Sequence, residues 1–210
     1  MKRFQMVTEA DARSLDYGST IVLVAGGHVT PLAHDTLKAR RISVVRDTPD
    51  VDLAALAPPT DIRTVAIAGD HTSLALKAAI RQHLRGQGLA VHDLGTDTSE
   101  PVDYPDTAAL VAVQVARGEA DAGIVLDGAG LGSTIAANKV DGIRAAMCVT
   151  RTLARYAREH NGANVLALGS TLVTPEEALA IVDTFLATPM REARYIRRLA
   201  KIRNLEARRS

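Results

Sequence analysis

From Thr64 onward the chain alternates short apolar runs with longer stretches of helical period, which restricts it to parallel strands joined by crossover helices. Five strands are predicted, at residues 64–68, 90–94, 122–126, 144–147 and 165–168. Between them Leu76, Ile80 and Leu84 recur four apart. Leu110, Val113 and Ala116 form a second stripe, and Leu153, Tyr156, Ala157 and His160 a third, each the buried face of a surface helix. Thr174-Pro175-Glu176-Glu177 supplies an N-cap, a first-turn proline and first-turn acids for a helix carrying Ala178, Ile181, Val182 and Phe185. After Thr188-Pro189 a last amphipathic helix sets Ile196, Leu199, Ile202 and Leu205 on one side.

The chain divides into an appendage with linker, residues 1–60, and a main domain, residues 61–210. The appendage is predicted to hold a strand at 20–25, a short helix at 31–40 and a second strand at 42–45. Arg46-Asp47-Thr48-Pro49-Asp50 and Ala57-Pro58-Pro59-Thr60-Asp61 bracket the linker, because prolines and small polar residues resist both helix and sheet. So few residues bury little core alone, so the appendage is expected to pack on the main domain or on another subunit, for assembly or docking to a scaffold.

The 210 residues are 47% apolar, enough for one main α/β core. A net charge of +1 excludes whole-protein attraction to nucleic acid, although Arg191, Arg194, Arg197, Arg198, Lys201, Arg203, Arg208 and Arg209 crowd the C-terminus and leave room for a local anion. Aromatics are 3% with no tryptophan, so platforms for stacking bases are scarce. The lone Cys148 forms no internal disulfide and offers no metal-ligand spacing. No apolar run is long enough to cross a bilayer, and the polar Thr8-Glu9-Ala10-Asp11 is unlike a leader; a cytoplasmic protein with no membrane partner is expected.

Chemistry is expected where strands end. Val125 to Lys139 places a carboxylate, Asp127, and three glycines, Gly128, Gly130 and Gly132, between a buried strand and a helix start. Glycines let the backbone approach a ligand, and the helix start favours an anion. The strand at 64–68 runs into Gly69-Asp70-His71, so a second acidic and titratable pair stands at a strand's carboxyl end. Ligands in open parallel sheets bind at those ends, and Asp70, His71 and residues 127–132 should converge on one crevice.

Gly69-Asp70-His71, Asp103-Tyr104-Pro105, Gly128-Ala129-Gly130-Leu131-Gly132, Ile135-Ala136-Ala137-Asn138-Lys139, Gly142-Ile143-Arg144-Ala145, His160-Asn161, Asn164-Val165-Leu166, Gly169-Ser170 and the closing Arg194 and Arg198 resemble the type B ribose-5-phosphate isomerase and galactose-6-phosphate isomerase family. The likeness runs from Thr64 to about Arg209 and omits residues 1–60. It implies a flavodoxin-like three-layer sandwich with a five-stranded parallel sheet, and a homodimer or dimer of dimers with its active sites at the interface. It also implies aldose–ketose isomerisation of a phosphorylated sugar without metal or cofactor. By resemblance, His160 opens the sugar ring, and Asp70 and His71 hold hydroxyls. The amides of Gly128, Ala129, Gly130, Leu131, Gly132 and Ser133, with Asn138, bind the developing enediolate; Tyr104 and Asn161 also face substrate, and Arg194 and Arg198 grip the phosphate. Two arginines four apart on a helix project from one face and suit forked bonds to phosphate oxygens.

The departures fall on the reacting centre. Where the family carries a cysteine just before the glycine loop or a glutamate just after it, this chain has Asp127 and Ser133. Ala129 replaces a common hydroxyl residue, and Thr171 stands where a further phosphate-binding arginine is often found. One galactose-6-phosphate isomerase subunit type is similar at Asp127 and Ser133 but typically lacks a histidine at position 71. Asp127 is therefore the expected base, with burial raising its pKa from about 4 toward the working pH. The alternatives are a sugar-phosphate-binding regulatory subunit that has lost catalysis, and a nucleotide or flavin binder, against which stand the scarce aromatics and the lack of a Walker-type lysine.

Overall fold

The computed structural model describes residues 2–46 and 56–206. The reading of a linker at 47–50, and the basic Arg208 and Arg209, lie outside the described residues. The chain divides into two compact units, Met1–Asp52 and Leu53–Ser210.

The first unit is a three-stranded parallel sheet in the order β1-β2-β3, built from β1 (Arg3–Val7), α1 (Glu9–Ser14), β2 (Thr20–Val29), α2 (Pro31–Ala39) and β3 (Ser43–Arg46). Its residues bury a cluster of their own, with Val7, Ala12, Leu15, Ile21, Leu23, Ala33, Leu37 and Ile42 all under a tenth exposed. The cluster is small, in keeping with the length of the unit, and forms where two strand-helix crossovers cover one sheet face. Thr8 caps α1 through a capping box with Asp11, and Thr30 caps α2 ahead of Pro31.

The second unit holds β4 (Thr64–Gly69), α3 (Leu74–Gly86), β5 (Ala90–Asp93), α4 (Tyr104–Ala116), β6 (Ala122–Asp127), α5 (Leu131–Ala137), β7 (Ala145–Met147), α6 (Arg151–Asn161), β8 (Val165–Gly169), α7 (Pro175–Ala187) and α8 (Ala193–Glu206). Its five strands are all parallel, in the order β5-β4-β6-β8-β7. Alternation along the strands sorts side chains onto two faces. Val65, Ile67, Ile124, Leu126, Leu166 and Leu168 meet Ile80 and Leu84 of α3, Ala154 of α6 and Ile181 and Phe185 of α7. The smaller Ala66, Ala68, Val125 and Ala167 face Val111 and Val115 of α4 and Ala137 of α5. The result is the expected α/β three-layer sandwich.

Arg158, fully buried on α6, holds the edge of this layer together, its guanidinium donating to the carbonyls of Ala163, Pro59 and Thr188 at 3.0, 2.8 and 3.3 Å. Burial, with Arg144 nearby, pulls its pKa down to about 10. Among the described residues no helix is long and apolar enough to cross a membrane.

Strand order places the site. From β4 the chain goes out to β5 on one side and returns to β6 on the other, so a topological switch lies between β4 and β6, where a crevice opens beyond the carboxyl ends.

Candidate active site

At that switch Gly69 pairs with Leu126, and the Asp70 amide donates to the Leu126 carbonyl at 3.1 Å, so Asp70 and Asp127 end adjacent strands side by side. Asp70 is buried. Its Oδ1 accepts the Thr72 amide at 2.9 Å and the Thr72 hydroxyl at 2.6 Å, and its carbonyl accepts the Ser73 amide and hydroxyl, turning the chain into α3. His71 is half-buried, and its Nδ1 accepts the Val102 amide at 3.3 Å.

Asp127 is buried in the turn it begins. Oδ1 accepts the amides of Ala129, at 2.8 Å, and Gly130; Oδ2 accepts the Ser133 amide at 2.8 Å. Burial pushes its pKa up, but the Ser133 side chain and amide, with the Gly130 and Ala129 amides, outweigh that and hold the carboxyl below the ordinary aspartate range. The expectation of a raised pKa is thereby corrected: burial among amide donors favours the charged form. The same contacts revise the assignment of the loop amides, because those of Ala129, Gly130 and Ser133 are spent on the chain's own carboxylate.

Two glycines make this turn possible. Gly130 has φ +76°, a left-handed conformation that opens α5. Gly132 lies under the Tyr104 ring, and a Cβ there would sit 2.6 Å from ring carbons. Tyr104, the first residue of α4 and partly exposed, is thus brought against the loop. Thr171 and Ser170 hold the turn from outside, and Ser170 also ties it to Thr72. The Thr171 amide and hydroxyl donate to the Gly128 carbonyl at 3.0 and 2.6 Å, the Ser170 amide donates to the Asp127 carbonyl at 2.9 Å, and the Ser170 hydroxyl reaches the Thr72 carbonyl at 3.1 Å. Thr171, standing where an arginine is often found, is occupied in this way. Gly169-Ser170 carried a signal through its place at a strand end; Thr72 carried none.

Asn138 does not join this group. It follows α5, where its Nδ2 donates to the Thr134 and Ala145 carbonyls at 3.0 and 2.9 Å and its Oδ1 accepts the Ala145 amide at 2.9 Å. Both amide hydrogens are used in tying α5 to the start of β7.

His160 sits in the last turn of α6, which returns toward the amino end of β8. Its ring stacks on Tyr156 at 4.7 Å and 16°, and lies tilted against Tyr195 at 4.7 Å. Arg198 of α8 stands over the Tyr195 ring at 5.3 Å, and Asn161 donates from its side chain to the Tyr156 carbonyl at 3.0 Å. Arg194 falls within α8, and its side chain lies outside the described residues. From Val165 to Gly169 the sheet rises roughly 13 Å at 3.3 Å per residue. One copy of the chain therefore holds two separate groups of candidate residues at opposite ends of the sheet: carboxylates, His71 and the glycine loop at the carboxyl end, His160, tyrosines and Arg198 at the amino end. A cavity of about 560 Å³ lined by Asp121, Arg144, Asn164 and Glu206 opens at the amino end rather than beside Asp127.

Residues 65–202 match the family model described as ribose/galactose isomerase. The chain belongs to that family. Ribose-5-phosphate isomerase B of Escherichia coli is 43% identical over 149 residues, which are 71% of this chain and the whole of that protein. A solved Clostridium thermocellum ribose-5-phosphate isomerase B superposes with a TM-score of 0.69 at 47% identity, covering 70% of this chain and 99% of that one. A Mycoplasma genitalium ribose-5-phosphate isomerase B solved with bound ribulose-5-phosphate gives a TM-score of 0.66 at 43% identity, covering 69% of this chain and 96% of that one. Family membership places the protein among the aldose–ketose isomerases of phosphorylated sugars.

Proposed function

We propose that the protein interconverts an aldose phosphate and its ketose, of the ribose 5-phosphate and ribulose 5-phosphate type, through an enediolate at a site shared by two copies of the chain. The observation that carries this reading is the convergence of Asp70, His71 and Asp127 at the ends of neighbouring strands in a member of this family. The substrate of the bound Mycoplasma relative supports the choice of a pentose phosphate.

In this reading the second copy brings His160 to the ring oxygen and Arg194 and Arg198 to the phosphate, since one copy holds these residues at the far end of its sheet. Asp70 and His71 bind hydroxyls, and Tyr104 and Asn161 line the sugar. Asp127 takes the C2 proton. Oδ2, which accepts one amide where Oδ1 accepts two, is the base, ionised at every working pH though weaker than a group of pKa near 7. The proton returns to C1 from the same carboxyl group as the O2 hydroxyl proton passes to O1, and the amides of Gly128, Leu131 and Gly132 are those left to face the enediolate oxygens.

Ribose 5-phosphate in deuterated water tests the reaction. Turnover with solvent deuterium appearing on the sugar is expected; binding without exchange points to a non-catalytic sensor, and a panel of tetrose, pentose and hexose phosphates with no turnover removes the reading. Mixing Asp127→Asn with His160→Ala subunits tests the shared site, because a mixed dimer regains one complete site while each parent variant has none.

A further inference from the structure

We propose that Lys77 is a positioning residue for this site: with Asp93 and Asp97 it fixes residues 94–103, and through Val102 that segment holds His71 with its ring proton on Nε2. The inference rests on the isomerase reading above and concerns a residue outside the family motifs read from the sequence.

Lys77 lies on α3 with its side chain 1% exposed. An unpaired ammonium at that depth is costly, so its partners decide what it does. Nζ donates to Asp93 Oδ1 at 2.8 Å and to Asp97 Oδ1 at 2.9 Å. One turn further on, Arg81 bonds Asp93 Oδ2 and stands 3.6 Å from Asp97. Asp93 ends β5, and its Oδ1 also accepts the Gly95 amide at 3.3 Å, while the Leu94 amide donates to the Ile67 carbonyl at 2.8 Å. Asp97 is otherwise open to solvent, and Lys77 first, then Arg81, hold its carboxyl below the usual carboxylate range. Four groups thus pin the first four residues of the segment.

Within the rest of the segment the Thr96 hydroxyl ties to Thr98, through its amide at 3.1 Å and its carbonyl at 3.3 Å, a local turn that does not reach Val102. The segment forms neither helix nor strand, and residues 97–101 are exposed, so packing contributes little to its conformation. Yet its far end delivers two groups to the site: the Val102 amide to His71 Nδ1 at 3.3 Å, and the Tyr104 ring onto Gly132. A backbone amide only donates. The Nδ1 it meets therefore carries a lone pair, and the proton of the neutral imidazole resides on Nε2, where it can donate to a sugar oxygen. A segment free to drift releases Nδ1, lets the ring turn or change tautomer, and moves Tyr104 off the loop.

Asp97→Asn is the decisive variant, because Asp97 is 70% exposed and its loss leaves the fold intact. Lys77→Met is the stronger perturbation and Asp97→Glu the conservative rescue. On the unliganded protein, the Val102 amide should exchange with solvent at least about tenfold faster in Asp97→Asn and Lys77→Met than in the parent. Nitrogen-15 spectra of His71 should show the Nδ1–H form gaining population, and Asp97→Glu should restore both readouts. With substrate, kcat/KM should fall about tenfold in Asp97→Asn while the unfolding midpoint stays within a few degrees. Unchanged Val102 exchange and His71 tautomer in both variants overturn the proposal. A parent protein that turns over no sugar phosphate counts against the isomerase reading instead, since both spectroscopic readouts are taken without substrate.

Discussion

Replacing Asp127 by asparagine separates the two things that carboxylate does, anchoring the loop and accepting a proton. In the native turn Oδ1 accepts two amides and Oδ2 a third. An asparagine that keeps its oxygen toward Ala129 and Gly130 turns its NH₂ toward the Ser133 amide, donor against donor; flipped, it leaves two amides unmet. The cheaper orientation loses one charge-assisted hydrogen bond, worth about 1.5–3 kcal/mol, and strands a buried amide at a similar cost, overlapping contributions that give a net loss of about 3 kcal/mol. Against a total stability of roughly 5–15 kcal/mol the variant stays folded at room temperature but unfolds at clearly lower denaturant.

Urea unfolding of the parent and Asp127→Asn, with equal slopes, measures this loss directly. The dependence on pH adds a second check. The folded pKa of Asp127 lies below its unfolded value of about 4, so its contribution is complete above that value and disappears as the pH falls through the folded one. The gap between the two proteins should be constant from about pH 5 to 8 and close only in more acid solution. A variant within about 0.5 kcal/mol of the parent at pH 7 would refute the anchoring role, whatever happens to activity. Turnover reports the other role: a loss of roughly 10² to 10⁴ in kcat is expected for removing the base, and Asp127→Cys should recover part of it, because a thiolate can take the proton though it anchors the amides poorly.

Gly132→Ala should displace Tyr104, whose ring would meet the new Cβ at 2.6 Å; KM for the sugar phosphate is expected to rise several-fold with little change in melting temperature, and unaltered kinetics would release Tyr104 from the site. Cys148 should be inert, since burial pushes its pKa up to about 11 from 9.0. At pH 8 its thiolate fraction is about one in a thousand against one in ten for a free thiol, so alkylation by iodoacetamide should run at least about a hundredfold slower in the folded protein than in urea. Rapid native labelling would show the thiol to be accessible.

Much of this fold is written locally. The strands of the second unit are short apolar runs between helical stripes, and Thr174-Pro175-Glu176-Glu177 forms the capping box that its residue types announce. The first unit is less legible. β1 is Arg-Phe-Gln-Met-Val with three of five residues open to solvent, so no apolar run marks it, and α1 is six residues long. Its one clear signal was Thr8 with Asp11, a capping box set in what reads simply as a polar N-terminus. At the site, the meeting of Asp70 and Asp127 follows from strand ends alone. The direction of the Asp127 pKa does not, because it is decided by backbone amides, which every residue but proline possesses and no side-chain pattern declares. The tying of Asn138 to Ala145 is equally silent, being a contact between a helix end and a strand start seven residues on.

The charge distribution gives the proposed sharing of the site a physical reason. Asp127, held in its charged form, ends one strand beside Asp70, which ends its neighbour, while Arg198 belongs to the helix at the other end of the sheet. A phosphorylated sugar brings about two negative charges and gains part of another as the enediolate forms. Approaching that carboxylate in a single copy, it meets repulsion of about 1 kcal/mol per charge pair at 4 Å in water, and more as the site closes. The amides of Ala129, Gly130 and Ser133, which could otherwise offset this, are taken here by Asp127 itself. Cations must then come from elsewhere, and the amino end of a second copy is where this chain keeps a guanidinium beside a histidine and two tyrosines. In the proposed reading, a carboxylate held in its charged form beside the substrate makes the second copy's cations an electrostatic requirement of the reaction as well as a geometric one.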